Sequence, residues 1–326
     1  MAIDSQRLTQ LRRYEDVEAR IAEEYIERRL GAGRALALLS SPLAEPRSVG
    51  WVIAPSIGPE HGNLRRLETL VARSLAEAGF PTLRIRPDLH PDLPPGRGAI
   101  GEIDLSTRIE EVDEAVDVIA GETGVRAVGL AGMLFGGTVA ALAAERLAAP
   151  GLALVEPVIR GKRYVRETVR RQAVAELIAS TEEDEPRGEL EEEGPARRPL
   201  EELAAAGETS IRGLRLTQEQ FDRISEIDLA RDVSVYRGSS LLIGISPSDS
   251  PSPGTAKLHA QLEALGGRVA FELLQDPLPA PFGEYYYRNA GAIRIDTRLE
   301  LDQRIAGAVA AWALGEFSPS PERAVA

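Results

Sequence analysis

The stretch from Val125 to Ala148, VRAVGLAGMLFGGTVAALAAERLA, constrains the fold more than any other part of the chain. Val125 to Leu130 is an apolar run bounded by glycine and reads as a strand buried on both faces; the alanine-rich segment from about Gly136 reads as a helix. Gly132-Met133-Leu134-Phe135-Gly136-Gly137 joins them as a sharp turn. Glycines two before and two after Leu134 let strand and helix approach closely around the central residue.

The segments on either side repeat the strand–helix alternation. Val49 to Ala54 is a buried strand, followed by the loop from Pro55 to Gly62. Asn63 to Ala78 is a helix with Leu64, Leu67, Val71 and Leu75 on one face and Gly79 as its stop. Pro81 to Ile85 is a short strand, followed by a proline-rich loop through Asp88, His90 and Asp92. A helix with Ile109, Val112, Val116 and Ile119 on its inner face leads into the central stretch. Leu152 to Val155, Ser240 to Ile245 and Arg268 to Leu274 read as further strands, Ala256 to Leu265 and Leu299 to Leu314 as helices. This order predicts an α/β fold: a doubly wound, mostly parallel sheet with helices on both faces and its functional rim at the carboxyl ends of the strands. At the N-terminus, Ile3 to about Glu23 reads as an amphipathic helix and Tyr25 to Leu39 as a β-hairpin turning at Gly31-Ala32-Gly33.

The pattern changes between Gly161 and Asp232. Arg163 to Ile178 and Thr217 to Ile224 read as helices, and Glu182 to Glu202 between them carries ten acidic residues with Pro186, Pro195 and Pro199. Such a segment buries too little apolar surface to offset the entropy of ordering it. The expected organisation is a helical arm over 1–23 and a core over 24–160 and 233–316. A lid insertion over 161–232 holds a flexible acidic loop at about 181–202, and a flexible tail covers 317–326. The acidic loop reads either as a gate over the site or as a solvated surface loop.

Composition narrows the function. The 326 residues carry a net charge of -13 with no basic stripe, which argues against nucleic acid and acidic membrane surfaces. No cysteine is present, so thiolate catalysis, zinc–thiolate sites and disulfides are excluded. No run reaches the roughly 18 apolar residues of a membrane span, and the charged N-terminus does not read as a signal peptide. A soluble, cytoplasmic protein is expected, with no cofactor.

With these elements in place the chain resembles the α/β-hydrolase superfamily. More narrowly, it is similar to the branch of serine aminopeptidase-like and exosortase-system-associated hydrolases. The resemblance rests on IAPSIGPEHGNLRRLETLVARSLAEAGF, the turn around Leu134, LVEPVIRGKRYVRE and IRGLRLTQEQFDRISEIDL. It implies a G-x-S-x-G nucleophile elbow at Gly132–Gly136, with an oxyanion hole from the backbone N–H of Phe135 and from the loop near Ser56 or Ile57. Here the central residue is Leu134, which is no nucleophile. The triad histidine is implied after the last strand, where Pro281-Phe282-Gly283 stands; the last histidine, His259, precedes that strand. Asp249 or Glu156 fits the acid position. The expectation is therefore a pseudohydrolase that binds a small molecule, a peptide or a protein partner through a pocket formed by Met133, Leu134, Phe135, Ser56 and Ile57. Apolar filling of that pocket is the plain alternative.

The rival expectation is an acyl-transfer or hydrolytic enzyme that uses Glu156, Asp249, His61 and His90 on the same scaffold. His61 and His90 lie on different predicted rim loops near Glu60, Asp88 and Asp92, and their spacing matches no metal motif. Taken singly they are surface histidines. His259 reads as structural, while Arg160, Lys162, Arg163 and Tyr164 read as a charged helix start. GMLFGG lacks the G-x-G-x-x-G spacing of a dinucleotide site. A third expectation is a structural subunit, a homo-oligomer formed through the N-terminal arm or the closing helix.

Overall fold

The computed structural model describes residues 13–30, 33–86, 105–169, 205–211, 214–276 and 295–318. Its strands are β1 (Arg13–Asp16), β2 (Ile21–Leu30), β3 (Gly33–Pro42), β4 (Val49–Ala54), β5 (Thr82–Arg86), β6 (Ala127–Met133), β7 (Gly151–Val155), β8 (Glu208–Ile211), β9 (Leu214–Thr217), β10 (Ser239–Ser246) and β11 (Val269–Gln275). Its helices are α1 (Gly58–Glu77), α2 (Leu105–Thr123), α3 (Phe135–Leu147), α4 (described over 161–169), α5 (Gln218–Glu226), α6 (Leu229–Asp232), α7 (Pro253–Ala264) and α8 (Ile295–Phe317).

Nine strands form one sheet in the order β1-β2-β3-β5-β4-β6-β7-β10-β11. From β5 to β11 every pairing is parallel, and β1, β2 and β3 extend one edge in antiparallel fashion. The parallel strands are buried on both sides, as continuous apolar runs such as VGWVIA require. Side chains alternate between the faces. Val52, Leu130, Leu154 and Leu242 face the layer of α2, α3 and α7. Trp51, Ile53, Ala131, Ala153 and Ile243 face the layer of α1 and α8. The expected stripe of α1, Leu64, Leu67, Val71 and Leu75, is fully buried there. Arg66 clamps α1 to α8 through a 2.6 Å ion pair with the buried Asp302.

The N-terminal helix expected over 1–23 is corrected by the structure, because 13–16 and 21–30 are strands. Residues 1–12 lie outside the described residues. The physical reason is pairing. β2 is bonded along its whole length to β3, and its residues Ile21, Ala22 and Ile26 are buried. Tertiary pairing of this kind overrides helical periodicity, which a single sequence displays without its partner strand. Charges on the hairpin are tied to the core: Arg73 of α1 reaches Glu23 at 2.8 Å and also pairs with Asp16.

The hairpin of β8 and β9 was not anticipated; it precedes α5, which Thr217 caps with a reciprocal Thr217–Gln220 capping box. β7 and β10 are neighbours in the sheet, so everything from 156 to 238 is inserted between adjacent strands. The acidic stretch 181–202 falls outside the described residues. No described helix is long and apolar enough to cross a membrane.

The parallel registers bring the carboxyl ends of β4, β6 and β7 level: Ala54 pairs with Gly132 and Met133 with Val155. A Cβ on Gly132 would collide with the carbonyl of Gly136, and one on Gly136 would lie 2.6 Å from the carbonyl oxygen of Ala54. Gly132→Ala and Gly136→Ala are each expected to cost at least about 2 kcal/mol, read as a lowered urea midpoint. Gly307→Ala, in the open middle of α8 with no heavy atom within 4 Å of the added carbon, should instead stabilise by up to about 1 kcal/mol.

Candidate functional site

β6 runs out at Met133, and α3 begins two residues later at Phe135. The whole reversal falls on Leu134, whose φ of 51° and ψ of −122° lie in a region that L-residues avoid. Only a backbone held from several sides keeps a leucine there. The Leu134 N–H donates to the carbonyl of Val155 at 3.0 Å. Its carbonyl accepts from the N–H groups of Gly137 at 3.0 Å and Val158 at 3.1 Å. This strained strand–turn–helix corner is the backbone geometry of a nucleophile elbow.

The side chain at the tip is 8% exposed and belongs to the apolar cluster on the α1 and α8 side. Met133 is buried beside it. Phe135 points to the opposite face, its ring centroid 5.6 Å from that of Tyr164.

As the first residue of α3, Phe135 has an N–H without an intrahelical partner. That N–H points to Oε2 of Glu60 at 3.5 Å, and the Ser56 hydroxyl donates to the same oxygen at 2.7 Å. Glu60 lies in the first turn of α1, whose N-cap, Ile57, has no capping side chain. One carboxylate thus sits where the positive ends of two helices meet, an arrangement that favours negative charge. Ser56 and Ile57 are 2% and 3% exposed, so the Ser56 hydroxyl stands on a buried loop. Glu60 was not among the expected pocket residues. Its signal in sequence is an acid in the first turn of a helix, four residues after a serine, and many helices carry an acid there.

Glu156 stands at the neighbouring strand end. Its backbone has φ 45°, its N–H donates to the carbonyl of Ile243 at 3.0 Å, and its carboxylate accepts from the N–H of Ile245 at 2.5 Å. It therefore ties the exit of β7 to β10. Asp249 lies in the exposed loop after β10. His61 follows Glu60 in α1, but its side chain is outside the described residues, as are His90, Asp88, Asp92, Tyr285–Tyr287 and the region after β11 where the resemblance places a triad histidine. The described residues thus assemble Ser56, Glu60, Leu134 and Phe135 at one corner, with Glu156 on the adjacent strand end. His259 packs edge-on against Phe271, with its Nδ1 3.5 Å from Glu263 on the same helix. Arg160 pairs with Asp228 at 2.7 Å and Arg163 with Glu167 at 2.6 Å. Among the described residues no group of three or more His, Asp or Glu is arranged to hold a metal.

Burial pushes the Glu156 carboxyl up, and the Ile245 N–H only partly offsets this. An acid whose folded pKa is raised binds its proton more tightly when folded, so its contribution to stability falls as pH rises from the ordinary glutamate value through the folded one. Glu156→Gln keeps an acceptor for Ile245 and removes the charge. Its stability relative to wild type should rise between pH 4 and pH 8 in denaturant titrations, and a flat difference would show that the charge carries no folding cost.

No family model matches the sequence, and no curated protein does. Solved structures do match. Est1E from Butyrivibrio proteoclasticus aligns with a TM-score of 0.55 at 17% identity, over 90% of this chain and 98% of that one. The esterase domain from a Rhodothermus marinus protein gives 0.53 at 16%, over 90% and 98%. An esterase from Pyrobaculum calidifontis gives 0.53 at 15%, over 90% and 86%. Likeness at this identity speaks to architecture, and together with the mostly parallel sheet and its flanking helices it establishes that the chain has the α/β-hydrolase fold.

Proposed function

We propose that this chain is a pseudohydrolase: a cytoplasmic α/β-hydrolase-fold protein that binds a small molecule, a peptide or a protein partner and does not catalyse serine-dependent acyl transfer. The observation that carries the reading is the corner itself. Leu134 stands at the tip with no hydroxyl, and the carboxylate of Glu60 rests on the N–H of the next residue. In an acyl-transfer enzyme that N–H stabilises the oxyanion of the tetrahedral intermediate. Here an oxygen gaining negative charge would meet a carboxylate, which raises the barrier instead of lowering it. The sequence adds that all three histidines precede β11. The similarity of LVEPVIRGKRYVRE and IRGLRLTQEQFDRISEIDL to the serine aminopeptidase-like and exosortase-associated branch supports placing the chain there, with 161–232 as its lid. No cofactor or metal is part of the proposal, and a homo-oligomer remains within it.

One contact favours the rival, an enzyme with a displaced reaction centre: the Ser56 hydroxyl is paired with a carboxylate, a possible base, at 2.7 Å. Glu156, with its raised carboxyl pKa at the next strand end, would be its acid. Hydrolysis of p-nitrophenyl acetate and butyrate, with labelling by a fluorophosphonate, separates the two. Wild type and Leu134→Ser are both expected to give no rate above buffer and no covalent adduct. Turnover by the wild type that is lost in Ser56→Ala or Glu156→Gln would overturn the pseudohydrolase reading.

A further inference from the structure

Where the chain leaves β7 and where it returns toward β10, its two passages are bonded to each other. The N–H of Gly161 donates to the carbonyl of Ile227 at 3.0 Å, and the N–H of Leu229 donates to that of Ile159 at 2.9 Å. A methyl group on Gly161 would overlap the carbonyl oxygen of Ile224, so the start of α4 packs directly on the end of α5. Two adjoining hollows of about 530 and 430 Å³ open at this junction and share Arg160 and Lys162 as wall residues. Their described walls carry five cations, Arg160, Lys162, Arg163, Arg166 and Arg231, against three acids, Glu167, Glu226 and Asp228. That is a surplus of two positive charges on a chain whose net charge is -13.

Two buried atoms of residues lining the larger hollow have no hydrogen-bond partner among the described residues, Oδ1 of Asp228 and Oγ of Ser225. Asp228 is 9% exposed, and its Oδ2 engages Arg160 at 2.7 Å and Lys257 at 3.6 Å, which leaves Oδ1 over. Buried polar atoms are normally bonded, and a carboxylate oxygen only accepts, so the partner that fits here is a donor. On the same wall the Lys162 ammonium pairs with no described residue. The N–H groups of Lys162 and Arg163, in the first turn of α4, have no intrahelical acceptor.

We propose that this hollow binds a small phosphate monoester whose organic part carries a hydroxyl. Lys162 and the start of α4 hold the phosphate, while the hydroxyl donates to Oδ1 of Asp228 and meets Oγ of Ser225. A dianion matches the surplus of two positive charges, and a single carboxylate matches half of it. The backbone bonds between the two passages set the walls before a ligand arrives, so binding orders little protein. The hollow shares no lining residue with the elbow, and the proposal stands whether or not the elbow is inert.

The test is isothermal titration at low ionic strength and about pH 8, where a phosphate monoester is a dianion. Glycerol 3-phosphate, methyl phosphate and glycerate are titrated into wild type, Lys162→Ala, Ser225→Ala and Arg126→Ala. Wild type should bind glycerol 3-phosphate saturably, and about threefold or more tighter than either methyl phosphate or glycerate. Lys162→Ala should weaken both phosphates about tenfold, whereas Ser225→Ala should weaken glycerol 3-phosphate about threefold and leave methyl phosphate unchanged. Arg126 is exposed just before β6, at the other end of the strands, so Arg126→Ala removes the same charge without changing affinity. Absence of saturable binding, or an equal loss in Arg126→Ala and Lys162→Ala, would overturn the proposal, the latter leaving only a general field. So would glycerate or methyl phosphate binding as tightly as glycerol 3-phosphate. The Lys162 and Ser225 side chains bond no described residue, so both variants should keep the wild-type melting temperature. If Lys162→Ala does not fold, Lys162→Gln keeps most of the side chain and must show the same loss.

Discussion

The close approach of α3 to the end of β6 is the constraint on which the rest of the rim depends. With Gly132 and Gly136 in van der Waals contact, the chain reverses on one residue, and that residue is forced to positive φ. The hydrogen bonds that Leu134 makes to Val155, Gly137 and Val158 hold the strain in place and draw the exit of β7 against the same corner. Glu156, also at positive φ, repeats the device one strand over, its side chain bonded to the N–H of Ile245. Two adjacent strand ends are thus fixed by backbone geometry that only a well-packed sheet sustains.

Electrostatics then decides what the corner holds. A helix N-terminus offers unpaired N–H groups and partial positive charge, and here the starts of α1 and α3 face one another. The Glu60 carboxylate accepts from the N–H of Phe135 at the start of α3 and from the Ser56 hydroxyl just before α1. Acids also pair with backbone donors away from the rim: the Glu145 carboxylate accepts from the N–H groups of Ser234, Val235 and Tyr236 and fastens α3 to the approach to β10.

The edge of the sheet shows where local pattern misleads. Residues 13–23 carry charges and apolar residues at spacings compatible with a helix, yet 21–23 are strand because β3 lies alongside, and 13–16 because β2 does. The ion pairs of Arg73 with Asp16 and Glu23 reward that placement only once α1 is packed on the sheet. The β8–β9 hairpin is a similar case, since strands of four residues leave little periodicity to read.

The sequence by itself determined the alternation of strands and helices, the parallel core, the stripes of α1 and α2 and the glycine-framed corner with leucine at its tip. These follow from apolar periodicity and from glycine, which act over a few residues and so are written locally. Only the tertiary structure decided that Glu60 reaches the N–H of Phe135, 75 residues away in the chain. It also decided that the first described segment is sheet, and that Glu156 is fixed between β7 and β10 rather than lying open on a rim loop. Each of these depends on which donors and strands meet after folding, and that meeting is set by sheet order and helix packing, which no local spacing encodes.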